Sequence, residues 1–431
     1  MTKEMDRSQG CIVGAAIGDA LGMPIEFLGE AEIKKHYGRI EKFEPPLSSH
    51  PSNHLRAGQW TDDTQLLLLM GESLVENKGF EIYDFASRLA GWGKRHEEDK
   101  TYSRYAELTN IKASRKLRNG MDPYSTGYRS PNPGSIVRSI PIGIWYYRDI
   151  DAVVKYSKES SVPTHNSAEA KDSCLAVALT CAYLLNGLSL EESIRSTFQY
   201  LSVKKLKKML NQVIDMQDDK SEKVKSVIGI STKASEVIAF AFYAFLHAKE
   251  TFRESVLTAV NVLGNTDTTG AVAGALSGAY NGLSKIPQEF TGGLESFDLL
   301  SDTGKKLIEN SNYLRTNFDL KLVNPEKLDL YDIKSERKKY QQMMKVLERK
   351  VKGWLDKVDS SIQYKGLELG REIIHHYESA KAGKIEICTV LKTVRPGTDL
   401  ALLFVRVEDK NKFSLSLHHA LEELRRNLEQ T

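Results

Sequence analysis

Two short oxygen-rich clusters, Trp60-Thr61-Asp62-Asp63-Thr64 and Asn265-Thr266-Asp267-Thr268-Thr269, carry the side chains best suited to chemistry. Each opens a stretch that reads as a buried helix, 65–75 after the first and 270–282 after the second. A Thr or Asn cap followed by acids in the first turn is ordinary for one helix start. Here each start holds two or three oxygen-bearing side chains where one cap suffices. Brought together by the fold, these carboxylates repel unless they are protonated or share a cation. Oxygen ligands favour one or two hard divalent ions. A metal-dependent site is therefore the chemistry to look for, and Glu26 in GDALGMPIEF adds a carboxylate at another helix end.

Something must position these oxygens, and two glycine ladders are the candidates. Gly10, Gly14, Gly18 and Gly22 recur every four residues, as do Gly270, Gly274, Gly278 and Gly282. Each interior glycine costs a helix about 1 kcal/mol relative to alanine. A stripe of them is tolerable only where backbones approach closely, the geometry of small-xxx-small faces. The competing membrane reading fails because both segments are short and Asp19 interrupts one. Both helices are expected at the centre of the domain, with their ends near the clusters.

Residues 1–325 read as all-α. Segments 11–21, 65–77, 83–94, 168–185, 190–200, 233–249 and 251–263 carry apolar residues at spacings of three and four. Turn-rich connections fall at 45–58, 120–134 and 161–167. Residues 330–431 read as a small α+β domain. Its helices are expected at 332–357, 367–382 and 415–428. Strands are expected at 384–394 and 400–408, around Arg395-Pro396-Gly397-Thr398-Asp399. The pairs His375-His376 and His418-His419 read as surface or cap residues, because adjacent side chains point to different sides.

Net charge is +3, from 60 basic and 57 acidic side chains, so nothing in it demands nucleic acid or an anionic membrane as partner. The basic runs 204–208 and 337–339 read as solvated helix faces. No secretory signal or spanning segment is visible, which places the chain in the cytoplasm, away from membranes. The four cysteines, Cys11, Cys174, Cys181 and Cys388, lack CxxC spacing and fit buried free thiols in a reducing compartment.

Five ordered motifs now add up: GDALGMPIEF, GQWTDDT, NPGSIVRSIPIG (132–143), Thr164-His165, and NTDTTGAVAGALSGAYNG. Together they resemble the ADP-ribosylglycohydrolase family, the group that includes dinitrogenase-reductase-activating glycohydrolase and the mammalian ADP-ribosyl-acceptor hydrolases. The resemblance covers residues 8–325. It implies a compact orthogonal all-α helix bundle around two Mg²⁺ ions, with Mn²⁺ as the alternative. By motif, Thr61, Asp62, Asp63, Asp267 and Thr268 would ligate, and Glu26 matches a mobile glutamate that reaches metal or ribose. Asn132, Gly134 and Ser135 would cradle phosphates through backbone N–H groups, and His165 would line the nucleotide pocket. Tyr128 or a nearby aromatic would stack on adenine.

The implied activity is hydrolysis of the bond between the distal ribose of ADP-ribose and an acceptor on a protein or nucleic acid, releasing ADP-ribose. Asp62 or Asp63 would orient or deprotonate the attacking water, with Glu26 the alternative base. The family pattern Gly-Gly-Asp-Thr-Asp-Thr is Leu263-Gly264-Asn265-Thr266-Asp267-Thr268 here. Asn265 can ligate through its amide oxygen but brings no charge, which weakens the second ion. The alternative function is a non-catalytic module that binds ADP-ribose or neutralises a toxin. The C-terminal domain, matching no family, is a candidate for recruiting a partner.

Overall fold

Absent side chains decide the centre of the fold. In the structure, a computed structural model, the helices Lys3–Gly22 and Thr266–Asn281 lie antiparallel with their glycines face to face. A Cβ on Gly18 would fall 1.9 Å from the Gly270 carbonyl oxygen, one on Gly14 2.2 Å from that of Gly274, and one on Gly10 2.6 Å from that of Gly278. The relation is reciprocal, since a Cβ on Gly278 would meet the Gly10 oxygen at 1.9 Å. The ladder expectation holds: no residue larger than glycine fits this seam.

That seam also delivers the site. Antiparallel pairing sets the end of the first helix against the start of the second, where the Thr266 hydroxyl donates to the Gly22 carbonyl at 2.8 Å. Thr2 caps the N-terminal helix, accepting from the Met5 N–H, with Glu4 and Asp6 in the first turn. Beyond Gly22 the chain tightens through the 3₁₀ turn Met23–Ile25, which contains Pro24, and presents Glu26. The other central helices, Ala168–Leu185 and Ala234–His247, are apolar nearly all round and correspondingly buried.

Residues 2–311 are described throughout, and between 312 and 431 the backbone of five strands is described. The chain divides into two units, Met1–Ser311 and Asn312–Thr431. The first is built of helices, and among its described residues no single helix is long and apolar enough to cross a membrane. The basic run at 204–208 opens the helix Lys204–Asp215, whose Leu206, Met209, Leu210 and Val213 are buried, so the lysines occupy its solvated side. Cys11, Cys174 and Cys181 are buried free thiols, as expected.

In the second unit β1 (Phe318–Leu320), β2 (Gln363–Leu369), β3 (Ile373–Ser379), β4 (Gly383–Arg395) and β5 (Thr398–Val407) form an antiparallel sheet in the order β1-β5-β4-β3-β2. The strand pair expected around Pro396-Gly397 is present, with Arg395 opposite Thr398. The helix expected at 367–382 is not: β2 and β3 occupy it, paired from Leu369↔Ile373 onward. Leu367, Ile373, Ile374 and Tyr377 mimic helical spacing. The glycine-containing stretch 370–372 between them was the overlooked hairpin signal. The helices expected at 332–357 and 415–428 lie outside the described residues.

Candidate functional site

The helix Asp62–Asn77 starts where the two ladder helices leave space for it. Thr61 caps it by accepting from the Asp63 N–H, and Asp62 and Asp63 fill its first turn. A second cap comes from across the fold. The buried Asp19 carboxylate accepts from the Thr61 N–H at 3.0 and 3.1 Å, from the Thr64 N–H at 3.1 Å and from the Thr64 hydroxyl at 2.6 Å. Asp19 therefore ties the glycine seam to the first acidic cluster. A lone acid in an apolar glycine helix was the signal for it.

The clusters meet directly. The Thr268 hydroxyl donates to Asp63 Oδ2 at 2.6 Å, and the Asn265 amide donates to Glu26 Oε1 at 2.8 Å. Asn265 stands at the cap position of its helix yet caps nothing with its side chain, and its buried Oδ1 has no partner. Asp62 Oδ2 accepts from the Glu107 N–H at 3.2 Å. A cleft of about 320 Å³ opens here, lined by Glu26, Asp62, Asp63, Asn132, Gly134, Asn265, Asp267 and Thr268 among others. Eight of the eleven site residues expected from sequence thus share one wall.

Three do not line it. Thr61 is buried at the cap, its hydroxyl accepting from the Asp63 N–H at 3.3 Å. Ser135 is fully buried, its hydroxyl accepting from the Cys174 thiol at 3.4 Å and its carbonyl at 3.2 Å. His165 is fully buried and stands behind the wall, its Nε2 2.9 Å from Glu107 Oε2. It touches the pocket through Glu107 rather than lining it. Tyr128 is also outside the cleft lining, its ring covered by Lys116 Nζ at 3.8 Å.

Glu107 is the residue that sequence reasoning missed most plainly. Its carboxylate accepts from the Asn132 amide at 3.0 Å, and a Cβ on Gly134 would fall 1.9 Å from its Oε2. Gly134 is thus required for Glu107 to lie against the turn. Burial alone would raise the Glu107 pKa, but His165 beside it and hydrogen bonds from His165, Thr109 and Asn132 hold it down at about 2. Phe27, 53% exposed, and Tyr105, 44% exposed, flank the mouth with ring centroids 5.2 Å apart. Both hold left-handed backbone, φ 66° and 58°, which side chains adopt only when neighbours enforce it. The enforcers are present. His50 Nε2 donates to the Glu26 carbonyl at 2.9 Å, and Arg104 Nη1 donates to the Trp60 carbonyl at 3.0 Å and to Glu295 at 2.8 Å.

Electrostatics sets the remaining carboxyls apart from Glu107. Burial first, then the charge of Asp267, pushes Glu26, Asp62 and Asp63 well above the usual carboxylate range. Asp267 is raised to about 7 by burial and then by Asp19, and it lies within hydrogen-bond reach of Glu26. Four acids this close share protons or a cation. The donor set of carboxylates, hydroxyls and one orphaned amide oxygen suits a hard divalent ion. Hydrogen bonds now set the spacing: among the described residues no three acidic, histidine or cysteine side chains are drawn tight enough to grip one ion.

Comparison with known proteins agrees with the geometry. The family model described as ADP-ribosylglycohydrolase matches residues 1–316, and the chain belongs to that family. It is a glycosidic-bond hydrolase. An uncharacterized protein of Archaeoglobus fulgidus is 32% identical over 308 residues, covering 70% of this chain and 96% of that protein. The ADP-ribosylarginine hydrolase Tri1 of Serratia proteamaculans is 25% identical over 315 residues, covering 71% of this chain and 80% of its own. A solved structure titled ADP-ribosylglycohydrolase-related protein complex shares the fold at TM-score 0.59 and 24% identity, over 72% of this chain and 100% of that one.

Proposed function

We propose that the chain removes ADP-ribose from a modified acceptor by hydrolysing the bond at the distal ribose, using Mg²⁺ or Mn²⁺. The observation that carries this reading is the Thr268–Asp63 hydrogen bond, which joins two clusters 205 residues apart at one cleft. Thr61, Asp62, Asp63, Asp267 and Thr268 would hold the cation, with the orphaned Asn265 Oδ1 as a neutral ligand to a second ion. When bound, such an ion supplies Lewis acidity that acidifies water and orients sugar hydroxyls. The side chains do the rest. As the anomeric carbon gains oxocarbenium character, the surrounding carboxylates stabilise its charge. Asp62 or Asp63, fixed on a helix start, orients the attacking water and takes its proton, with Glu26 the alternative base. Asn132 and Gly134, which line the cleft, would face the phosphates. The name of the Serratia relative makes arginine the first acceptor to try.

The test is release of free ADP-ribose from an ADP-ribosylated protein by the full chain with Mg²⁺. Multiple turnovers support the reading. Stoichiometric binding with no release on arginine-, serine- or nucleobase-linked substrates would contradict it and favour a non-catalytic binder.

Asn265 gives that second reading its own observation, because its amide spends a donor on Glu26 where a charge would bind metal. Asn265→Asp is expected to tighten Mg²⁺ binding and raise turnover about tenfold at limiting metal, since carboxylate count tunes affinity. Calorimetry and the release assay check both. An inactive wild type made active by this substitution would establish the binder.

A further inference from the structure

Apolar surface gathers at one opening. Of the seven large hydrophobic side chains that stand exposed among the described residues, three line the cleft: Phe27 at 53%, Tyr105 at 44% and Leu108 at 69%. Single exposed apolar residues are ordinary, but several around one concave site mark a surface that meets something. Packing does not explain them. Phe27 and Tyr105 both hold strained left-handed backbone and bury little in return. Their rings meet edge to face, 71° apart in plane, an arrangement that leaves ring surface open to a guest. The His50 ring, 5.8 Å from that of Phe27, supports the pair from one side.

Charge says what kind of guest. Five acids line the cleft, Glu26, Asp62, Asp63, Glu107 and Asp267, and among the described residues no lysine, arginine or histidine does. Even two divalent ions, four positive charges against those five, would leave no basic side chain at the mouth. A polyanion such as a nucleic acid gains nothing from such a lining. An aromatic face attracts a cation, and a flat one can also stack on it. A guanidinium is both flat and cationic.

Position says which part of the substrate it is. Phe27 follows Glu26 directly, and Tyr105 lies two residues before Glu107, whose N–H donates to Asp62 Oδ2 at 3.2 Å. The rings therefore neighbour the acids proposed above to surround the anomeric carbon. The acceptor bonded to that carbon lies between those acids and the opening.

Resting on the ADP-ribosyl reading above, we propose that Phe27 and Tyr105, with Leu108 beside them, form the acceptor subsite. They select a planar cation, the guanidinium of a modified arginine, over a neutral acceptor.

The experiment uses the full chain with Mg²⁺ and three substrates, carrying ADP-ribose on an arginine peptide, a serine peptide or a nucleobase of an oligonucleotide. Wild type is expected to favour the arginine peptide in kcat/KM by at least about tenfold, the scale of two cation–π contacts. Tyr105→Leu and Phe27→Leu keep apolar bulk but lose the ring. Each is expected to raise KM on the arginine peptide about fivefold, the scale of one such contact. KM on the serine peptide and the calorimetric Kd of free ADP-ribose, which has no acceptor, stay within about twofold. Tyr105→Phe, which keeps the ring face, behaves as wild type. Should Phe27→Leu disturb its neighbour Glu26, seen as a fall in kcat on every substrate, Tyr105→Leu decides. An equal loss on all substrates, a weakened hold on free ADP-ribose, or a wild-type preference for the serine or nucleobase link overturns the assignment. A wild type that binds but hydrolyses nothing sinks only the enzymatic reading. The subsite then stands if the arginine peptide binds more tightly than free ADP-ribose and Tyr105→Leu removes that advantage, and it falls if the two bind alike.

Discussion

Asp62→Ala and Asp267→Ala are each expected to lower ADP-ribose release about 10²- to 10³-fold, the scale of losing a preorganised electrostatic group. Neither should unfold the metal-free protein. The reason lies in repulsion: Asp267 has a folded pKa of about 7 against an ordinary 3.8, pushed up by burial and then by Asp19. A carboxyl whose pKa rises on folding binds its proton more tightly in the native state. Its penalty is absent below the unfolded value, grows as pH rises through the window from about 4 to about 7, and is complete above it. Asp62, Asp63 and Glu26 are shifted in the same direction. Metal-free wild type should therefore lose Tm from pH 5 to pH 8, and Mg²⁺ should restore it at pH 8. Asp267→Ala should show a flatter profile and a smaller Mg²⁺ response. Thermal melts across that range check this. A variant as steep and as metal-responsive as wild type would mean that Asp267 does not share the site.

Gly18→Ala is the substitution expected to damage stability most. Its Cβ would sit 1.9 Å from the Gly270 carbonyl oxygen, a backbone atom that no rotamer change can move. Separating the seam means shifting two central helices, so the loss should exceed about 3 kcal/mol, at or beyond the usual range for overpacking. The acidic clusters would separate with it, taking turnover as well. Gly91 is the control. It lies in the helix Ile82–Glu98, is exposed, and has nothing within 4 Å of a built Cβ. Gly91→Ala should gain about 1 kcal/mol from helix propensity alone. Urea unfolding of both variants decides the matter, and similar effects at the two sites would remove the seam as the organiser of the fold.

Much of this was readable before any coordinates. The ladders declared a close helix contact because glycine every fourth residue has no other physical use in a buried helix. The surplus of oxygens at two helix starts declared a shared site. What escaped was whatever depends on a third element. Glu107 sits in no patterned segment, and its role comes from a backbone N–H to Asp62 and from space left by Gly134. His165 was expected to line the pocket and instead stands behind Glu107, which sequence cannot show. Phe27 and Tyr105 owe their placement to left-handed backbone that neighbouring anchors impose. The helix expected at 367–382 failed differently, since apolar residues three and four apart fit a strand pair as well.

The most direct measurement follows free ADP-ribose while Mg²⁺ is added back to metal-stripped full-length protein and an ADP-ribosylated substrate. If the oxygens of residues 61–63 and 265–268 act around a shared cation, release is absent without metal, rises to saturation with Mg²⁺, and stays absent in Asp63→Ala. Equal release with and without metal, or full activity in that variant, would contradict it.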